Sequence, residues 1–254
     1  MVNLRTTLSI VCLLVFAEAG TANPVEVADG VYSYQGPTTY ISMFVVTDDG
    51  VMAIDPINSA HSEGLVAAIK SVTNQPIRYL VHTHNHWDHS GGWQLFKDEG
   101  ATIIAHVDAY NWLKANSHPD ITVPDESWGG SRKDIVLGGK TLELHHFGPS
   151  HGHGMTIPVV AGERVGYIAD LVGPNRLPFF ILPDFTVREL ERTLEGILTL
   201  DTEKIVFTHN ARPDPLQGGT SQDVIDTLQY LSDLRAALEA ENASGTPARL
   251  APDA

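Results

Sequence analysis

The sequence predicts an α/β protein, on three observations. Short runs rich in β-branched and aromatic residues alternate with segments of helical spacing along most of the 254 residues. One run, Ile77–Val81, reads as an apolar strand of the kind buried on both faces of a layered sheet. A loop dense in histidine and aspartate follows directly, at the carboxyl end of that strand, where open α/β sheets carry their sites.

Residues 1–22 stand apart. Arg5 precedes the apolar run Leu8–Ala17, and Ala17-Glu18-Ala19 or Gly20-Thr21-Ala22 offers small residues for cleavage, the plan of a secretory signal peptide. A retained N-terminal anchor is the competing reading, disfavoured by the shortness of the run. The expectation is an exported protein, periplasmic or extracellular, with no stable membrane association once the leader is removed. One domain over 23–241 and a disordered tail over 242–254, small and polar with prolines, complete the plan. The single cysteine, Cys12, lies in the leader, so the mature protein would have no disulfide and no thiolate ligand. A net charge of −15, unchanged by joint loss of Arg5 and Glu18, disfavours nucleic acid and anionic membranes as partners. With 43% hydrophobic and 19% charged residues the composition is that of an ordinary globular chain.

The elements follow in order. Gly30–Tyr34, Tyr40–Thr47 and Val51–Asp55 read as strands, the last two joined by Asp48-Asp49-Gly50. His61–Ser71 reads as a helix with Leu65, Ala68 and Ile69 on one face. After Ile77–Val81 and the histidine loop, Trp93–Glu99 and Val107–Ala115 read as helices flanking a strand at Ala101–Ala105. Asn116–Lys133, with two prolines, two glycines and Trp128, reads as a long loop, either a pocket rim or a plain surface connection. Asp134–Leu137 and Thr141–Phe147 form a hairpin through Gly138-Gly139, with His145 and His146 on opposite faces, read as packed or exposed. Met155–Ala161 and Arg164–Ala169 pair through Gly162-Glu163. Val172–Asp184 contains three prolines and can form no regular helix. Thr186–Leu200 reads as a helix, Lys204–Phe207 as the last strand, and Gly219–Glu241 as an amphipathic helix carrying Val224, Leu228, Leu231, Leu234 and Leu238.

The loop His82–Gly92 carries four histidines and an aspartate within eight residues. Imidazole nitrogen and carboxylate oxygen form a donor set that zinc accepts, and three protein ligands plus water is its usual catalytic arrangement. Alternation would place His84, His86 and Asp88 on one side of an extended segment, with His89 turned toward a neighbouring ion.

The motif His84-x-His86-x-Asp88-His89 resembles the HxHxDH signature of the metallo-β-lactamase-fold hydrolases. Three later elements are similar to that superfamily's remaining ligands. They are His151 in Gly148-Pro149-Ser150-His151, Asp170 at the end of Val165–Asp170, and His209 at the end of Ile205–His209. The resemblance covers nearly the whole mature chain. It implies a four-layer αβ/βα sandwich of the metallo-β-lactamase type, built from two similar β-sheet halves. It also implies two Zn2+ ions, the first on His84, His86 and His151, the second on Asp88, His89 and His209, with Asp170 between them. Iron or manganese would be accepted by the same donors. Asp88 would serve as the catalytic carboxylate, orienting the attacking water and passing its proton to the leaving group. Asp55 would support the metal loop. His153 reads as a support for a ligand or a substrate contact. Arg176, Phe179 and Phe180 read as a substrate wall, with Arg176 the anion contact; the alternative is a packed loop with Arg176 in solvent.

The implied reaction is hydrolysis of a small-molecule carbonyl by water activated between two ions. A lactone or other carboxylic ester ranks first and a β-lactam second. Class B β-lactamases commonly use a cysteine or another histidine pattern at the second ion, where this chain has Asp170 and no thiol. The full His/Asp set is more similar to lactonases and thioesterases. Quorum-signal lactonases, however, commonly place a tyrosine shortly after the bridging aspartate, where Leu171, Val172 and Gly173 stand here. The other classes are an iron-dependent redox enzyme on the same fold and a non-catalytic metal-binding protein. Diiron members typically replace the second motif histidine by glutamate, and His86 counts against them. No feature of the sequence specifies an oligomeric state.

Overall fold

The computed structural model describes residues 23–178 and 184–245. The expected signal peptide over 1–22, Phe179, Phe180 and most of the expected tail lie outside the described residues. No helix among the described residues is long and apolar enough to cross a membrane.

Two sheets face each other. The first has seven strands in the order β1 (Val25–Ala28), β2 (Val31–Gln35), β3 (Ile41–Thr47), β4 (Gly50–Ile54), β5 (Ile77–Val81), β6 (Thr102–His106) and β7 (Glu126–Trp128). The second has five, in the order β12 (Lys204–Phe207), β11 (Val165–Ile168), β10 (Ile157–Val160), β9 (Lys140–His145) and β8 (Arg132–Leu137). Strands β1 to β4 pair antiparallel and β4 to β7 parallel; in the second sheet only β11 and β12 run parallel. On the outer face of the first sheet lie α1 (Ser59–Val72) and α3 (Gln94–Asp98), and on that of the second α5 (Val187–Ile197) and α6 (Ser221–Ala243). The result is the four-layer αβ/βα sandwich that the family resemblance implies.

The period of two along each strand builds three cores from one chain. In β3 and β4, Met43, Val45, Met52 and Ile54 point between the sheets, where they meet Leu142, Leu144, Tyr167 and Val206. Their neighbours Phe44, Val51 and Ala53 point outward onto Leu65 and Ile69 of α1 and Phe96 of α3. Ile168, Ile205 and Phe207 likewise leave the other sheet to pack on Leu190, Leu194 and Val224. The hairpin through Gly138-Gly139 needs both glycines, at φ +48 and +82, because consecutive left-handed residues make the turn that matches strand twist.

Several expectations are corrected. Asn116–Lys133 is not one loop, since Glu126–Trp128 pairs in parallel with β6 and Arg132 already begins β8. Strand β5 is not apolar throughout: Arg78 is exposed, and burial is confined to Ile77, Leu80 and Val81. Strand β1 adds an edge that the turn-rich sequence concealed. The last helix runs through Ala243, past the expected tail boundary, and its stripe is only partly covered. Val224 and Leu231 are buried, while Leu234 and Leu238 are exposed. The loop after β5 is extended only as far as His86. Trp87–Ser90 then forms a single helical turn (α2), closed by the Ser90 N–H and hydroxyl on the His86 carbonyl. Alternation therefore does not carry to Asp88.

Candidate metal centre

The register of the parallel strands assembles the site. Ile54 of β4 pairs with Val81 of β5, so Asp55 and the loop beginning at His82 leave the same edge of the first sheet. Ile168 of β11 pairs with Phe207 of β12, so Asp170 and His209 each lie two residues beyond that pairing, side by side on the second sheet. The Ile41 N–H donates to the Thr208 carbonyl at 3.0 Å, stitching the two edges together. His151 comes from the segment between β9 and β10.

Four imidazoles converge on one carboxylate. His84 Nε2, His89 Nε2 and His151 Nε2 lie 3.3, 3.1 and 3.2 Å from Asp170 Oδ2, and His209 Nε2 lies 2.9 Å from Oδ1. The potential ligand atoms form two groups sharing Asp170: His84, His86, His151 and Asp170, and His89, Asp170 and His209, each within 4.8 Å of one another. The backbone of Asp170 sits at φ +56, a conformation a side-chain-bearing residue adopts only at a cost, here imposed where the carboxylate must be aimed between the groups. Burial alone would raise the Asp170 carboxyl, but His89 first, and then His151, His209 and His84 drawn up around it, hold it well below the usual range. Burial pushes His84 down to about 3 and lowers His151. For His89 burial is outweighed by Asp170 and Asp55, which raise it well above an ordinary imidazole. An ionised carboxylate and neutral His84 and His151 suit a divalent cation, and an ion would displace the proton that His89 holds between Asp170 and Asp55.

Behind the ligands, buried Asp55 orients two of them. Its Oδ1 accepts the Thr83 N–H at 2.8 Å, and its Oδ2 accepts the Thr83 hydroxyl at 2.8 Å and the His89 Nδ1–H at 3.0 Å. The Thr83 hydroxyl, its proton committed, accepts the His84 Nδ1–H at 2.9 Å. One carboxylate thus holds the Nδ1 side of a histidine in each group, directly for His89 and through Thr83 for His84, leaving both Nε2 atoms turned toward Asp170. His84 Nε2, His89 Nε2 and Asp170 Oδ1 are buried and make no hydrogen bond of good geometry. Orphaned buried polar atoms are costly unless something coordinates them. With no cysteine among the described residues the donors are nitrogen and oxygen only, a set that fits zinc and equally iron or manganese.

Asp88 does not stand in either group. Its carboxylate lines the cleft and accepts the Tyr40 hydroxyl at 2.7 Å. Tyr40 also packs edge-on against His209, with ring centroids 4.5 Å apart. His86 Nε2 meets Asp184 Oδ2 at 3.0 Å. Gly152, at φ +57, passes so close that a Cβ there would lie 2.7 Å from Asn85 Oδ1 and 3.1 Å from His86 Nε2. His153 is not part of the cleft lining: its ring stacks near Trp112, and it contributes through its N–H, which donates to Asn85 Oδ1 at 2.5 Å. The cleft holds about 250 Å³. Arg176 and the largely exposed Leu177 flank it, and Val172 and Phe185 supply apolar wall, Phe185 stacked on His151 at 3.9 Å. Tyr40, Asp184 and Phe185 escaped the sequence reading because each reaches the site by long-range packing, with no motif around it.

Comparison with known proteins agrees with this architecture. The profile of the Metallo-beta-lactamase superfamily matches residues 36–209. Among curated proteins, the chain is 30% identical over 166 residues to the 2,4-dinitroanisole O-demethylase subunit alpha of a Nocardioides species, across 64% of this chain and 50% of that protein. It is 31% identical over 133 residues to a UPF0173 metal-dependent hydrolase of Symbiobacterium thermophilum, across 51% of this chain and 56% of that protein. The chain thus spans about half the length of each. Among solved structures, a metallo-beta-lactamase from Pontibacter korlensis superposes with a TM-score of 0.71 at 19% identity, covering 83% of this chain and 99% of that one. Metallo-beta-lactamase IND-7 gives a TM-score of 0.66 at 21% identity, covering 80% and 92%. Those identities speak to the fold alone. With the profile spanning most of the described residues and carrying the whole histidine–aspartate set, this chain belongs to the metallo-β-lactamase superfamily.

Proposed function

We propose that the protein is an exported dinuclear zinc hydrolase acting on a small lactone or other carboxylic ester. The observation that carries the reading is the convergence of His84, His89, His151 and His209 on Asp170 at the floor of an open cleft. Two divalent ions held there would supply a water acidic enough to attack near neutral pH and a Lewis acid for the carbonyl oxygen. His84, His86 and His151 would hold one ion and His89 and His209 the other, with Asp170 shared. Asp88, steadied by the Tyr40 hydroxyl, takes the proton of the attacking water and returns it to the leaving alkoxide. Burial raises Tyr40, so its hydroxyl stays protonated and keeps donating. Arg176 makes no side-chain hydrogen bond or ion pair among the described residues and is free to meet an anionic group of the substrate. The apolar wall of Val172, Leu177 and Phe185 excludes water from the remainder of a small molecule. Export rests on the leader-like pattern of Arg5 and Leu8–Ala17.

A second reading is favoured by one relative. The likeness to a protein named 2,4-dinitroanisole O-demethylase subunit alpha raises an activated aryl methyl ether as the substrate of the same cleft. The experiment is metal analysis of the purified protein beside a hydrolysis panel: an acyl-homoserine lactone, an aryl ester, a thioester, a chromogenic cephalosporin and 2,4-dinitroanisole. We expect two zinc per chain and chelator-sensitive cleavage of the lactone or ester. Cleavage of the cephalosporin or the anisole alone would overturn the substrate assignment. One iron per chain and no hydrolysis would overturn the hydrolase.

A further inference from the structure

A third group of metal-competent donors lies apart from the cleft and shares no residue with it. His106 ends β6 and precedes α4 (Val107–Ala115), Asp108 stands in the first turn of α4, and His146 follows β9. One ligand atom from each lies within 4.8 Å of the others. His106 Nδ1 is 3.4 Å and His146 Nε2 3.9 Å from Asp108 Oδ2. The two rings are stacked, with centroids 3.9 Å apart and planes 20° from parallel, and His106 is buried against the edge of Trp128.

The tautomers are set for coordination. The His146 Nδ1–H donates to the Met155 carbonyl at 2.8 Å, which leaves its Nε2 lone pair facing Asp108. A backbone carbonyl on the far nitrogen is the usual outer support of a metal-bound histidine. His106 Nδ1 accepts the Asp108 N–H at 3.3 Å, so its proton sits on Nε2 and its lone pair faces the same point. That contact is long for a hydrogen bond, and an ion would compete with it. Two stacked imidazoles with lone pairs directed toward one carboxylate gain little from each other and much from a shared cation. The cluster has little room to open. Gly154 presses on α4 so closely that a Cβ would lie 2.7 Å from the Ala109 nitrogen and 3.2 Å from the His106 Cβ.

We propose that His106, Asp108 and His146 form a separate site for one borderline divalent ion, such as Zn2+, which ties α4 to both sheets. Two imidazoles, one carboxylate and water complete a tetrahedral set. His106 belongs to the first sheet and His146 extends from the second, so the ion would clamp the halves of the sandwich at a point the catalytic ions do not reach.

The test is zinc content of the chelator-stripped full-length protein after dialysis against excess Zn2+, with thermal melts alongside. Excess zinc also settles on an acidic surface, so the difference between variants is read. Asp108→Ala and His146→Ala are each expected to hold one zinc per chain fewer than wild type and to lose part of the zinc-dependent rise in Tm. The Asp108 side chain is about half exposed, and its removal leaves both rings packed, so this variant decides the matter if His146→Ala fails to fold. His84→Ala is expected to keep this ion, which separates the site from the cleft. Equal zinc in wild type and Asp108→Ala overturns the proposal.

Discussion

Asp55 belongs to neither candidate ligand group, yet its replacement by asparagine is expected to weaken metal binding. The carboxylate accepts on both oxygens: Thr83 N–H on Oδ1, and the Thr83 hydroxyl and His89 Nδ1–H on Oδ2. An amide has one oxygen and one NH2 group. With its oxygen toward His89, the NH2 faces the Thr83 N–H; turned the other way, it faces His89 and the Thr83 hydroxyl. Either orientation leaves a buried donor unpaired, at about 1–3 kcal/mol. The residue is fully buried, so water cannot relieve the mismatch. For a domain of this size Tm moves about 2–4 °C per kcal/mol, which sets an expected fall of about 5 °C in the metal-free protein. The second effect is on the ligands, because Asp55 fixes His89 directly and His84 through Thr83. Loss of such a support typically costs about 10–100-fold in metal affinity. The assay is competition between Asp55→Asn and a chromophoric chelator for Zn2+, with the melt recorded in excess chelator. Affinity within about twofold of wild type refutes the reasoning.

Three further outcomes are expected. Gly152→Ala places a Cβ 2.7 Å from Asn85 Oδ1 at φ +57, a strain of about 1–2 kcal/mol before the clash is counted. Metal analysis is expected to show loss of the ion at His84, His86 and His151, and full occupancy would contradict the stated contact. Arg176→Ala is expected to raise KM several-fold for an anionic substrate with kcat nearly intact; an equal rise for a neutral analogue would rule out a charge contact. Burial pushes His61, whose ring meets Ser42 Oγ at 2.9 Å, down to about 4 from an ordinary 6.5. The unfolded chain binds the proton more readily, so this term favours folding fully above pH 6.5 and is lost as pH falls toward 4, about 3 kcal/mol in all. Urea unfolding of metal-free His61→Gln is expected to lose stability less steeply than wild type across that window, and an unchanged slope would count against it.

Much of this was legible because the physics behind it is local. Period-two burial in β3 and β4, the buried face of α1 at Leu65, Ala68 and Ile69, and the ordered His/Asp motifs all act through neighbours in the chain. What escaped was set by contacts across the fold. Alternation through His84, His86 and Asp88 was overridden when Trp87–Ser90 closed a helical turn, which placed Asp88 on Tyr40, 48 residues earlier, and outside both ligand groups. Glu126–Trp128 has the composition of a loop and becomes a strand because β6 offers it an edge. His146 reads from its strand as an ordinary packed or exposed residue, and only the approach of β6 from the other sheet sets His106 against it.

The two halves of the sandwich divide the centre between them, and this has an energetic consequence. The loop after β5 supplies His84, His86 and His89 from the first sheet; the second supplies Asp170 and His209 from the ends of β11 and β12. Neither half alone brings a complete ligand group. The ligand set exists only once Met43 and Ile54 have met Tyr167 and Val206 between the sheets, and once Ile41 has bonded to Thr208 across their edges. Tyr167 belongs to both systems: its hydroxyl donates to the Ile41 carbonyl at 2.9 Å, accepts from the Thr208 hydroxyl at 2.6 Å, and lies beside Asp55. Whatever bound metal would contribute at Asp170 it would therefore also contribute to closure of the sandwich, since binding free energy at a site absent from the unfolded chain is folding free energy. The left-handed backbone of Asp170 fits that account. A conformation unfavourable in isolation persists where the surrounding structure over-determines it, and coordination of a metal by this carboxylate would add to that constraint.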